Sequence, residues 1–312
     1  MVKKTIGLVF RGGLLCIILS LLCGGVTAQR TELRTLVLDA GHGGVDPGAA
    51  GQITHEAAVA LGITLKLGKL IAKAYPEMKI VYTRTTDVLA GGGRDVNRSI
   101  RYRADLANRV KGNLFISIHC NSNGRAAGGY YAKTLVGHRR KVVLVKTGRK
   151  KHKQVVIEPV YRSVWVKNAV KGTATYIWAA DRSGPKGGII NEEAGGERVK
   201  DTTNLLDLSS PEARIRAQLY EKKYFANSMM LASMVEAEFR KSGRVSKGVA
   251  QRNNKGIWVL QATAMPSILI ETGFVTNTEE EKYLHSSSGQ AQIARGILNA
   301  LRRYRTMTET IQ

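Results

Sequence analysis

The stretch NLFISIHC, residues 113 to 120, is largely apolar on both faces that a strand presents: Leu114, Ile116 and Ile118 line one, Phe115 the other with the small Ser117, and His119 breaks the run near its end. A strand with one wet face alternates apolar and polar residues. One that is apolar on both sides belongs in the middle of a sheet covered by helices on each face, the usual setting of parallel strands.

The neighbouring sequence agrees. Upstream, Leu36 to Asp39 form a short apolar run that breaks into the turn AGHGGVDPGAAG, and Lys79 to Thr83 form another strand. Between them Thr54 can cap a helix from about His55 to Ala74, with Val59, Ile63, Leu67, Leu70 and Ala74 recurring at helical spacing. Ser99 to Val110 has helical spacing ahead of the central strand. Downstream, Pro211 opens a long helix with Phe225, Met229, Ala232, Val235 and Phe239 on one stripe, Ser267 to Glu271 form a strand, and Gln290 to Tyr304 close the chain as a helix. Strands alternating with helices predict an α/β sheet with helices on both faces.

Two segments stand apart. Residues 1–28 carry Lys3, Lys4 and Arg11 ahead of the apolar run Leu14 to Leu22, followed by the small residues Val26-Thr27-Ala28. That order predicts a secretory signal peptide cleaved near Ala28, and residues 29–312 are expected to form the functional domain. From about residue 137 to 210 the rhythm breaks into basic, β-rich ribbons and a Gly-rich loop, SGPKGGIINEEAGGERVKDTTN, which predicts an insertion within that domain. Cys16 and Cys23 belong to the leader, so Cys120 remains alone and no internal disulfide is expected.

The formal charge is +24, and lysines and arginines between Lys133 and Lys186 face only Glu158 and Asp181. Such an excess predicts an anionic partner. Export, whether to a periplasm or to the exterior, excludes nucleic acid as the natural one and leaves anionic wall polymer or a membrane surface.

His42 follows the first strand, His119 ends the central one and Glu271 ends a third, so a parallel sheet would bring all of them to its carboxyl edge, where ligands of open α/β sheets bind. Glu56 projects from the buried stripe at the first turn of its helix. A buried carboxylate requires a cation or hydrogen-bond partner. Two imidazoles and a carboxylate with one position left open suit catalytic zinc, and Glu271 is then available as a separate base, accessible at its strand end because Gly273 follows closely. Each residue also has a plainer reading. His42 could be a hydrogen-bonded turn residue, Glu56 could complement the helix dipole, Glu271 could cap a helix, and His55 competes with Glu56 as a ligand. Cys120 reads as a small buried residue.

The motifs LDAGHGGVDPGAAG, THEAAVAL, YTRTTD, RADLAN, FISIHCNS and PSILIETGFVTNTEEEKYL occur in the order of zinc-dependent N-acetylmuramoyl-L-alanine amidases of the type-3 family, which this sequence resembles from about Leu36 to Tyr304. The resemblance implies a mixed, mainly parallel six-stranded sheet flanked by helices, here with the basic insertion. It implies hydrolysis of the amide between N-acetylmuramic acid and L-alanine in peptidoglycan, in wall remodelling or daughter-cell separation. It also implies zinc bound by His42, Glu56 and His119, with Glu271 as the catalytic acid and base. Division-associated members of the family carry an inhibitory insertion released by an activator, which makes Glu192 and Glu193 candidate autoinhibitory residues and a division-machinery activator a candidate partner. This chain departs from the pattern at Ala57, where a lysine often follows the ligand glutamate, and in the stretched segment DVLAGGGRDVNRSI. The rival expectations are a non-hydrolytic peptidoglycan-binding or activator protein, and a zinc peptidase or deacetylase acting on the wall.

Overall fold

The computed structural model describes residues 33–178, 211–251 and 257–310. The expected signal peptide, and with it Glu192 and Glu193, lies outside the described residues. In chain order the elements are β1 (Thr35–Ala40), α1 (Glu56–Ala74), β2 (Lys79–Tyr82), α2 (Val96–Arg109), β3 (Leu114–Asn121), β4 (Gly129–Thr147), β5 (Lys150–Lys167), β6 (Thr173–Ile177), α3 (Pro211–Lys241), β7 (Ser246–Gln251), α4 (Trp258–Ala262), β8 (Ser267–Phe274), α5 (Thr278–His285) and α6 (Ser287–Thr310).

Six strands form one sheet in the order β2-β1-β3-β8-β6-β7. All neighbours pair parallel except β6 with β8. β3 is central, and its two apolar faces enter two different cores. Ile116 and Ile118, with Leu36, Leu38, Ile268 and Ile270, pack on one side against Ile63 and Leu67 of α1 and Val235 of α3. Phe115, with Val37 and Leu269, packs on the other side against Ala107 of α2 and Leu260 of α4. The period-two alternation thus splits each strand between two helical layers. In α3 the expected stripe is present: Ala232, Val235 and Phe239 are buried, with Phe225 and Met229 half-buried beside them.

Several boundaries differ from the expectation. α1 begins at Glu56 with His55 at the cap position and no side-chain cap bond. Thr54 does not cap it, because carbonyls of the preceding loop take the first helical amides: Glu56 N donates to Ala49 O (2.9 Å) and Ala57 N to Pro47 O (3.1 Å). α2 starts three residues earlier than the spacing suggests, since Asp95 caps it by accepting from Arg98 N at 3.1 Å.

The segment assigned to the insertion divides into two kinds of structure. β4 and β5 form a long two-stranded antiparallel ribbon that starts at Gly129, ahead of residue 137. Thr173–Ile177, by contrast, is β6 of the main sheet. The junction is fixed by Asn168, a buried side chain whose Nδ2 donates to Ala126 O (2.6 Å) and Thr276 O (3.1 Å), while its Oδ1 accepts from Asn123 Nδ2 (2.9 Å). No helix among the described residues is long and apolar enough to cross a membrane.

Candidate metal centre

β1 and β3 are parallel neighbours, so their carboxyl ends meet at one edge, where Gly41 N donates to Ile118 O at 3.0 Å. The loop after β1 folds back tightly enough to put His42 in the left-handed region, with φ 57°, a conformation uncommon for a side-chain-bearing residue. The glycines around it answer to close approach. A Cβ on Gly41 would collide with the His119 imidazole, and one on Gly48 would lie 2.7 Å from both Glu56 Oε2 and His42 Cδ2.

Two buried arginines hold this loop. Arg84 donates to the carbonyls of Ala40 (Nε, 2.9 Å), Gly41 (Nη2, 2.7 Å) and Ala57 (Nη2, 2.8 Å). Arg103 donates to the carbonyls of Ala40 (Nη1, 2.7 Å) and His42 (Nη2, 2.7 Å), and its Nη1 also donates to Asp39 Oδ1. Asp39 further accepts from Thr83 Oγ1 and Ser117 Oγ, each at 2.6 Å. Burial works against the Asp39 charge, but Arg103 and the two hydroxyls outweigh it and hold the carboxyl below the usual range. Burial, with Arg103 alongside, brings the Arg84 guanidinium down to about 10, so it remains charged at neutral pH.

Glu56 enters from the first turn of α1. Its Oε2 accepts from Ala49 N (2.9 Å) and its Oε1 from Cys120 N (3.0 Å). The same Oε1 lies 2.8 Å from His119 Nδ1 and 3.2 Å from His42 Nε2, and the two rings meet edge to face at 4.9 Å. The other nitrogen of His42, Nδ1, is 2.8 Å from Asp46 Oδ2. Burial disfavours the Glu56 carboxylate, yet the two imidazoles hold its pKa well below the ordinary value. Burial likewise opposes charge on His42, and Glu56 and Asp46 overcome it, raising its pKa to about 8.

One ligand atom from each of His42, Glu56 and His119 lies within 4.8 Å of the others, so these residues could hold a metal ion. The donor set fits zinc: two imidazole nitrogens and a carboxylate oxygen, with an acid behind one ring to fix its orientation. His55, the competing ligand, is half-buried and not part of the cluster.

Glu271 stands beside His119 in the β3–β8 ladder and opposite Ala174 of β6. It does not end its strand. β8 continues to Phe274, and beyond the His119↔Glu271 pair the register shifts so that β8 carries one extra residue, a bulge of the kind that re-aims side chains near sites. The opening expected from Gly273 is absent: Glu271 is only 7 % exposed, and Arg244 Nη2 lies 2.6 Å from where a Cβ on Gly273 would be. Glu271 instead reaches a cavity of about 440 Å³ that His42, Glu56 and His119 also line. Apolar side chains of Leu89, Val96, Ile100, Trp258 and Leu269 also line it. The stretched segment after Thr86 therefore contributes directly to the cavity. Cys120 is buried, and burial pushes its thiol well up, as suits a packing residue.

Sequence reasoning missed the clamp of Asp39, Arg84 and Arg103, and also Asp46. The signals were present: a charged Asp39 inside an otherwise apolar strand, and arginines within YTRTTD and RADLAN.

The N-acetylmuramoyl-L-alanine amidase family (Amidase_3) matches residues 36–303. Among curated relatives, N-acetylmuramoyl-L-alanine amidase AmiC of Escherichia coli O6:H1 is 26 % identical over 281 residues, covering 89 % of this chain and 54 % of the relative. Probable N-acetylmuramoyl-L-alanine amidase AmiB of Haemophilus influenzae is 26 % identical over 269 residues, 86 % of this chain and 51 % of the relative. The chain thus spans about half the length of these relatives. Among solved structures, the CwlD amidase from Clostridioides difficile in complex with the GerS lipoprotein superposes with a TM-score of 0.54 at 20 % identity, covering 88 % of this chain and 99 % of that one. The sheet, the edge cluster and a family match over most of its length agree: this chain belongs to the N-acetylmuramoyl-L-alanine amidase family.

Proposed function

We propose that this chain is exported and hydrolyses the amide bond between N-acetylmuramic acid and L-alanine in peptidoglycan, with zinc held by His42, Glu56 and His119. The observation that carries the reading is the convergence of three ligand atoms within 4.8 Å, with Glu271 next to His119 on the same cavity. An ion bound there supplies Lewis acidity, polarising the amide carbonyl and making a water more acidic.

The remaining work falls to the chain. Asp46 holds the His42 ring through Nδ1 and turns Nε2 toward the cluster. The Glu271 carboxylate accepts a proton from the attacking water and returns it to the L-alanine nitrogen as the C–N bond breaks, since an amide nitrogen leaves poorly without one. The apolar lining from Leu89 to Trp258 limits water around the scissile group. An activating protein partner is also part of the proposal, supported by the lipoprotein complex of the C. difficile amidase.

Mass spectrometry of the products from purified sacculi tests the reaction. Free stem peptides beginning with L-alanine, together with peptide-free glycan, are expected, and a chelator should abolish both. Acetate release, or cuts within the stem peptide, would replace this reading with a deacetylase or a peptidase.

A further inference from the structure

The β4–β5 ribbon has two unlike faces. Cross-strand partners share a face, so the register assigns every side chain. On one face Arg139 and Lys141 pair with Glu158 at 2.8 and 2.9 Å, and Val143, Val145, Val156 and Val160 are half-buried. Glu158 is the one acid in these two strands, so the opposite face has none.

That opposite face begins with the aromatic pair Tyr131↔Trp165, whose rings meet at 5.1 Å, followed by Leu135↔Tyr161. It continues to the tip through Ile157, Val142↔Val155 and Leu144. Among the described residues these side chains are open to solvent: Tyr131 is 71 % exposed, Ile157 68 % and Leu144 67 %. Lys133, Arg140, Lys146, Lys151 and Lys153 share the face. Single exposed hydrophobes are ordinary, but a continuous stripe flanked by cations marks a docking surface.

We propose that this acid-free face of the ribbon docks onto an anionic phospholipid bilayer, its aromatic and aliphatic side chains entering the headgroup region while the lysines and arginines meet lipid phosphates. Charge alone would suit any polyanion. The aliphatic residues distinguish among them, because Leu135, Val142, Leu144, Val155 and Ile157 gain from burial in a bilayer and gain nothing against a hydrated polymer. Tyr and Trp near cationic side chains match the chemistry of a membrane interface. A second copy is a poor occupant, since self-apposition would press like charges together. The inference does not depend on the amidase reading, because binding to lipid is measured without substrate.

The test is co-sedimentation of the full chain with vesicles of phosphatidylcholine alone or mixed with phosphatidylglycerol. Binding to the mixed vesicles should exceed binding to the neutral ones at least about tenfold. The double variant Leu144→Ser/Ile157→Ser, whose charge is unchanged, should lose about tenfold, while Val143→Ser on the other face stays within about twofold. In the unaltered chain brominated lipid should quench tryptophan emission, and Trp165→Phe should remove most of that quenching. Wild-type affinity in the double serine variant, or sedimentation with purified wall polymer but not with vesicles, would overturn the proposal.

Discussion

At the scale of the residue, His42 carries an unusual burden. It adopts a left-handed backbone, lies between two carboxylates, and in the metal-free chain has its pKa raised to about 8 from 6.5. A raised folded-state value means that the protonated ring stabilises the fold fully below about pH 6.5, and that this contribution is lost as pH rises through about 8. The metal-free protein should therefore lose up to about 2 kcal/mol of stability between those limits, seen as a falling urea midpoint. With zinc bound the ring stays neutral, keeping only the Nδ1 proton that faces Asp46, so the midpoint should be flat across the same window, and zinc affinity should rise through it. A flat midpoint for the metal-free chain would remove the Glu56 and Asp46 contacts from the account. Glu56, His119 and Glu271 stood out in the sequence as polar interruptions of apolar patterns, and His42 as a histidine in the glycine turn that follows a strand. Asp46 did not, since an aspartate in a Gly/Pro-rich loop looks like ordinary turn chemistry.

At the scale of the element, the site rests on a loop gripped at its carbonyls by two guanidiniums from elsewhere in the chain. Arg103 comes from α2 and bridges Asp39 to the carbonyls of Ala40 and His42. Replacing it by methionine would leave the Asp39 carboxylate buried without its cation, a change that typically costs about 3–5 kcal/mol. Arg103→Met should lower the unfolding midpoint accordingly and weaken zinc binding, both measurable by chemical denaturation with and without metal. A change below about 1 kcal/mol would mean that the clamp carries little of the loop's stability. The clamp was missed although Asp39 stood inside an apolar run, because an arginine such as Arg103 on a helix of low apolar content reads as a solvated residue until the tertiary fold buries it. Helix starts were legible only approximately: the spacing placed that of α2 at Ser99, three residues late, because the Asp95 cap was not read as one. At α1 distant carbonyls do the same work, and Thr54 was a false signal.

At the scale of the whole molecule, the four strands β1, β2, β3 and β8 were evident as apolar runs, and their parallel order is what gathers His42, His119 and Glu271 at one edge. The last two strands on one side of the sheet, β6 and the edge strand β7, were not found from the residues. TATYI lies between a long basic ribbon and a Gly-rich loop, and SKGVAQ is too polar and too interrupted by glycine to stand out. β6 becomes a strand by pairing with β8, and β7 by pairing with β6, a tertiary effect that outweighs local propensity. In the proposed reaction the carboxyl edge of this sheet divides the labour, with His42, Glu56 and His119 binding the ion and Glu271 moving the proton. Zinc content per purified chain, measured beside stem-peptide release for Glu271→Ala and His42→Ala, tests this most directly. Glu271→Ala should retain wild-type zinc and lose at least about a hundredfold in turnover, while His42→Ala should lose the metal. A metal-free Glu271→Ala alongside a zinc-loaded His42→Ala would contradict the assignment.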